Sequence, residues 1–225
     1  MSIAENLERV RERIADAASK ARKSPDAITL VAVTKTVDVP AIREAIEAGV
    51  TDIGENYVQD SARKFEEIGK AVRWHMIGHL QTNKARIAVP VFDLIQSVDS
   101  VDLAMELGKR SAAVGKTTDV LIEVDISGEA TKFGVQPTDV PALCDSIAEI
   151  EGVALKGLMG IAPFTDDAAA VRRSFAGLRE TWERLPAENR VWLSMGMTGD
   201  FEPAIEEGSN MVRIGTAIFG PRNYK

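Results

Sequence analysis

The sequence is short of cysteine, histidine, aromatic residues and positive charge, and each shortage removes a class of function. One cysteine, Cys144, excludes an internal disulfide and a cysteine-rich zinc site. It falls in a predicted helix and reads as a small buried hydrophobe. The formal net charge is −7, so the chain lacks the basic face that broad nucleic-acid binding requires. A local anion site stays open, because such a site needs only backbone amides and one or two cations. No apolar stretch approaches the roughly eighteen residues needed to span a bilayer. The opening residues are amphipathic and of mixed charge, without a signal-peptide core, so the protein is expected in the cytoplasm. No GxGxxG follows the first strand, and the Gly-Lys pairs at 69–70 and 115–116 lack the upstream glycine of a phosphate-binding loop.

What is present is a strict alternation. Ile3, Leu7, Val10, Ile14 and Ala17 recur at helical spacing, which predicts a helix over about the first twenty residues. Strands are predicted at 29–35, 52–56, 72–78, 93–99, 118–127, 153–161, 190–197 and 210–220. Helices fall between them, at about 40–49, 57–68 and 81–89, from 99 to about 113, at 137–150, on to about 185, and at 201–207. Pro90 ends the third of these. Eight strand–helix units in this order imply parallel pairing with right-handed crossovers. The count and the 225-residue length suit a single (β/α)8 TIM barrel with an extra N-terminal helix. No linker-like stretch interrupts it, so one domain over 1–225 is expected.

In such a barrel chemistry gathers at the C-terminal ends of the strands. Lys35, Glu55, Asn56, His79, Ser194, Gly196, Arg213, Gly215 and Thr216 all fall there. Each has a plain structural reading. Lys35 could snorkel to solvent, Asn56 could cap the next helix, and His75 could simply pack on its strand. His79 could be a rim ligand or a helix-entry residue, but the chain offers no third ligand for a metal. Lys132, in EATKFG, reads as a solvated loop lysine.

The ends of strands 7 and 8 are more specific. Ser194-Met-Gly-Met and Arg213-Ile-Gly-Thr place two hydroxyls and two glycines on adjacent strands, where barrels often bind phosphate. With a lysine on the neighbouring strand 1, two chemistries follow. One is a Schiff-base aldolase for a phosphorylated sugar; the other is pyridoxal phosphate, whose aldehyde condenses with a lysine. Arg213 favours the second, because strand alternation turns it to the side of Gly215, toward a pyridine nitrogen.

These residues also resemble a known family. VTKT, IGENYVQD (53–60), HMIGHLQTNK (75–84), GLMGI (157–161), SMGMTGDFEPAI (194–205) and MVRIGTAIFGPRNY (211–224) are similar to the pyridoxal phosphate homeostasis proteins. The resemblance runs from the first strand to the last residues. It implies a barrel like the N-terminal domain of alanine racemase that binds pyridoxal 5'-phosphate. It also implies a role in vitamin B6 and amino-acid homeostasis, with no established catalytic activity. By position, Lys35 matches the Schiff-base lysine. Ser194, Gly215, Thr216 and the amide of Met195 match the phosphate-binding groups. Arg213 matches the arginine at the pyridine nitrogen, and Asn56 the asparagine beside the ring. Thr34-Lys35-Thr36-Val37-Asp38 departs from the family's frequent Ser-Lys-Thr-Lys-Pro, which questions only the packing of the first loop.

Schiff-base formation needs a neutral amine, and burial near Arg213 would favour that form of Lys35. An arginine stays protonated and makes the bound ring a weak electron sink. Racemisation survives that objection, since alanine racemase is arranged alike, but it needs a second acid/base group. The only tyrosines are Tyr57 and Tyr224, and no second domain is expected to bring another base. The reading is therefore a monomeric cofactor holder, its expected partners the cofactor and apo pyridoxal-phosphate enzymes as recipients. A racemase-like enzyme and an aldolase are the alternatives.

Overall fold

A computed structural model of the chain describes residues 1–128 and 133–221. Eight parallel strands close in sequence order into one barrel: β1 (Thr29–Val33), β2 (Asp52–Glu55), β3 (Arg73–Met76), β4 (Leu94–Val98), β5 (Thr118–Val124), β6 (Val153–Gly160), β7 (Trp192–Ser194) and β8 (Met211–Ile214). The helices are α1 (Ile3–Lys20), α2 (Val39–Glu47), α3 (Val58–Ile68), α4 (Ala85–Val91), α5 (Val101–Ala113), α6 (Val140–Ala148), α7 (Ala168–Glu183), α8 (Phe201–Glu206) and α9 (Thr216–Phe219). The α/β barrel and its extra N-terminal helix are as the alternation predicts.

Local chemistry accounts for the element ends. Ser2 caps α1, accepting from the Glu5 amide while the Glu5 side chain accepts from the Ser2 amide. Asp38 caps α2 with Pro40 in its first turn. Leu7, Val10, Ile14 and Ala17 of α1 are all buried on the barrel. Two layers of core result. Most apolar side chains fill the space between strands and helices. A smaller cluster of Val31, Leu94, Leu121, Met159 and Met211 plugs the barrel axis. Trp74, Phe92, Phe175 and Phe201 are fully buried, and Cys144 is buried in α6.

Most strands are shorter than expected, and at two of them, β1 and β8, the difference shapes the rim. Strand 1 ends at Val33, not Lys35. Thr36 takes a left-handed φ of 65° and the Val37 amide donates to the Thr34 carbonyl at 3.0 Å, so Lys35 sits in a tight turn. Strand 8 ends at Ile214, and Thr216–Phe219 wind into a short helical turn whose Ile218 and Phe219 amides donate to the Gly215 carbonyl. A β-rich composition hid that turn, because local propensity is weak against the closure of a barrel.

Among the described residues no helix is long and apolar enough to cross a membrane, and no group of three or more His, Cys, Asp or Glu side chains could hold a metal. Lys132 and Tyr224 lie outside the described residues.

Candidate functional site

The C-terminal rim brings Lys35, Gly215 and Thr216 onto one cleft of about 530 Å³ between β1 and β8. The strands are direct neighbours, with Ala32 paired to Ile214. A Cβ on Gly215 would stand 3.3 Å from the Val33 side chain, a tight approach that favours glycine there. Thr216 is exposed and opens α9, so the first amides of that turn face outward without helical partners.

Arg213 and Ser194 meet one layer deeper. Arg213 is only 3% exposed; its Nη1 donates to Ser194 Oγ at 2.6 Å and its Nη2 to the Gly160 carbonyl at 2.9 Å. Burial lowers its pKa to about 10, against the opposing pull of Asp200 and Glu123, so it remains a cation. Ser194 in turn donates to Gln96 Oε1 at 2.6 Å. The Met195 amide donates to the Met211 carbonyl at 3.1 Å, and its side chain is wholly buried. Ser194 and Met195 therefore already have internal partners for the hydrogens expected to meet phosphate.

Asn56 follows β2 at the same rim. It does not cap α3, whose first flanking residue is Tyr57 with no side-chain cap. Its Oδ1 is buried without a partner among the described residues. Gly78 permits this crowding: a Cβ there would lie 2.8 Å from Asn56 Cα and carbonyl oxygen.

Glu55 and His79 fall at this end as expected, but their partners, Lys64 among them, and Glu123 escaped sequence reasoning. Glu55 points away from the axis into a buried cluster, accepting from Thr34 Oγ1 at 2.7 Å and Lys64 Nζ at 2.8 Å. Lys64 also donates to the Thr34 carbonyl at 2.9 Å, immediately before Lys35, and so braces the lysine turn. Burial pushes Glu55 above its ordinary pKa despite Lys64 and Thr34. The only sign of Lys64 in the sequence is its i,i+4 spacing from Asp60, with which it pairs. Glu123 is next to last in β5, across the barrel from Lys35. Burial and the Asp99 carboxylate raise its pKa to about 7. His79 is a rim residue that stacks on Phe133, with ring centroids 3.8 Å apart, and faces Asp99 at 3.5 Å.

The donor set suits an anion bearing a carbonyl: a primary amine, a donor-only guanidinium, a hydroxyl and a glycine-lined turn. The orphaned Asn56 oxygen adds an acceptor on the same rim. A parallel barrel carrying these groups on and just beyond the C-terminal ends of β1, β2, β7 and β8 is of the alanine racemase N-terminal domain class, and the sequence profile of that family matches residues 5–223. The protein of this type from Pseudomonas aeruginosa named pyridoxal phosphate homeostasis protein is 42% identical over 224 residues, covering 99% of this chain and 97% of that one. The Escherichia coli K12 protein of the same name is 42% identical over 233 residues, with the same coverage. The chain belongs to the pyridoxal phosphate homeostasis protein family. Among solved structures, PipY of Synechococcus elongatus with PLP bound superposes with a TM-score of 0.85 at 34% identity, over 97% of this chain and all of that one. An alanine racemase from Clostridium difficile 630 gives a TM-score of 0.73 at 14% identity, covering this chain and 58% of the enzyme. That likeness is one of fold alone.

Proposed function

We propose that residues 1–225 form one cytoplasmic barrel domain that binds pyridoxal 5'-phosphate at the β1–β8 cleft and serves vitamin B6 and amino-acid homeostasis as a holder of the cofactor. The observation that carries this is the meeting of Lys35 with Gly215 and Thr216 on a single cleft. The relatives' names and the PLP-bound PipY structure support it. Bound there, the cofactor supplies an aldehyde that a primary amine captures with loss of water. Lys35 supplies that amine from a turn braced by Lys64 and Glu55. Gly215 allows close approach of the phosphate, and Thr216 offers a hydroxyl and the first amides of α9. Ser194 and Met195 border the same anion; each trades an internal hydrogen bond for one to phosphate if it takes part. Asn56 would offer its unpartnered Oδ1 to the cofactor from the β2 side of the rim.

Arg213 argues against most carbanion chemistry, although an arginine so placed leaves racemisation open. As a cation it donates to a ring nitrogen and has no lone pair to accept from a protonated one. Arg213 would so hold the ring nitrogen in its unprotonated form, which keeps electron withdrawal weak. The relatives are named for homeostasis, and apo pyridoxal-phosphate enzymes are the partners this reading expects.

Absorption spectroscopy tests the reading. The purified chain mixed with pyridoxal phosphate is expected to show a yellow visible band that Lys35→Ala abolishes. A colourless chain that does not take up the cofactor refutes it. Incubation with single-enantiomer amino acids tests the holder role, because steady racemisation would make the protein an enzyme.

A further inference from the structure

Arg213 does not stand alone in the barrel. It is the upper end of a chain of buried polar side chains that follows the axis to the opposite face. Ser194 Oγ lies 2.6 Å from Arg213 Nη1 and 2.6 Å from Gln96 Oε1. Gln96 Nε2 lies 2.9 Å from His75 Nδ1 and 3.2 Å from Met211 Sδ. His75 Nε2 lies 2.8 Å from Asp52 Oδ1. Ser194, Gln96 and His75 have no solvent exposure, and Asp52 and Arg213 are 5% and 3% exposed. Asp52 opens β2 at the N-terminal end of the barrel, where it borders a second cavity of about 570 Å³ beneath α1.

The two ends, with a neutral imidazole between them, determine the direction of every bond. A guanidinium can only donate, and an ionised carboxylate can only accept. Burial raises the pKa of Asp52, but hydrogen bonds from His75 and Thr51 and the charge of Arg73 oppose it, and the carboxyl lies below its ordinary value. Its acceptance from His75 puts the imidazole proton on Nε2. A neutral imidazole then has only a lone pair on Nδ1, so Gln96 must donate to it through Nε2. The Gln96 oxygen is left facing Ser194 and must accept. Ser194 has one proton, gives it to Gln96, and offers its lone pair to Arg213. Reversing the Gln96 amide would put its oxygen against Nδ1, which requires an imidazolium.

We propose that Asp52, His75 and Gln96 are positioning residues for Arg213, acting through Ser194 as a one-way hydrogen-bond chain that holds the guanidinium at the barrel mouth. The proposal rests on the reading of Arg213 as the partner of the cofactor's ring nitrogen. It makes Ser194 a link to Arg213 first, because surrender of its proton to phosphate would strip Gln96 Oε1 of its donor. Buried networks of this kind impose a single geometry when every member is satisfied.

The wild-type chain without cofactor gives the first test. Proton–nitrogen correlation NMR of the imidazoles resolves two histidines, and His79→Gln identifies the other signal. His75 is expected as the neutral form with the proton on Nε2 and a bare Nδ1. A proton on Nδ1, alone or in an imidazolium, overturns the chain's direction. The second test titrates pyridoxal phosphate against Gln96→Leu, Ser194→Ala and the double variant. Each single variant is expected to keep the Lys35-dependent visible band, shift its pH titration, and weaken binding about tenfold, the scale of one hydrogen bond to a charged group. The double variant is expected to be no weaker than either single, the mark of residues acting in one chain. Unchanged binding in Gln96→Leu, or losses that multiply in the double variant, overturns the proposal. Failure of the wild-type chain to take up the cofactor refutes the site reading instead, and leaves the NMR result to judge the chain itself.

Discussion

Glu123, next to last in β5, has its Oε2 buried and without a hydrogen-bond partner among the described residues. Burial chiefly, then the like charges of Asp99 and Asp125, raises its pKa from an ordinary 4.5 to about 7, and Arg213 only partly offsets them. The folded chain therefore keeps a proton that the unfolded chain has already lost. Between pH 4.5 and about 7 the folded state binds more protons, so stability falls as pH rises through that window. At about 1.4 kcal/mol for each pH unit of separation, the full penalty above the window is about 3 kcal/mol. Glu123→Gln keeps the shape and removes the ionisation. It is expected to gain about 3 kcal/mol on the alkaline side, which for a chain of this size is a rise of roughly 6–12 °C in Tm. On the acid side of the window the two proteins should differ little. Calorimetric or circular-dichroism melts across the window measure the difference between variant and parent, so groups common to both cancel. Parallel Tm curves with no convergence in acid would refute the account of Glu123 as a buried carboxyl held protonated by its surroundings.

Other predictions follow from the packing. Lys64→Met leaves Glu55, with no solvent exposure, without its counter-charge; the cost in urea unfolding is expected to be about 3–5 kcal/mol. Adding Glu55→Gln should recover most of that loss, and a double variant as unstable as the single would refute the pairing. Gly157→Ala puts a Cβ 1.8 Å from the Trp192 carbonyl oxygen at a φ of 146°, on the β6–β7 ladder. It is expected to cost more than about 3 kcal/mol, read as lost soluble yield or a large fall in Tm. A soluble variant with the parental Tm would show that β6 and β7 are not held at that spacing.

The barrel was legible because its signal is repetitive. Apolar runs of strand length alternate with helical periodicity eight times, and parallel closure is what that order permits. Lys35, Gly215 and Thr216 were legible too, since all of them fall at strand ends and the order of strands makes the first and eighth neighbours. The resemblance of VTKT and MVRIGTAIFGPRNY to one family narrowed the chemistry further. What escaped was the state of each polar atom. Ser194 and Met195 look like free donors in a motif, yet one gives its proton to Gln96 and the other its amide to Met211. Gln96 and Asp52 carried no signal at all, because an interior polar residue in an apolar strand looks like any other interruption. His75 read as a packed strand residue, and packed it is, but as a link in a polar chain.

By itself the sequence determined the number and order of elements, the rim that would hold the site, and the pairing of an amine with an anion-binding turn. Those depend on periodicity and chain order, which are written along one dimension. Only the tertiary structure decided which donors remain for a ligand, which carboxylates lose their water, and which way the protons run from Arg213 to Asp52. Those properties belong to atoms brought within about 3 Å from residues far apart in the chain, and no local pattern records them.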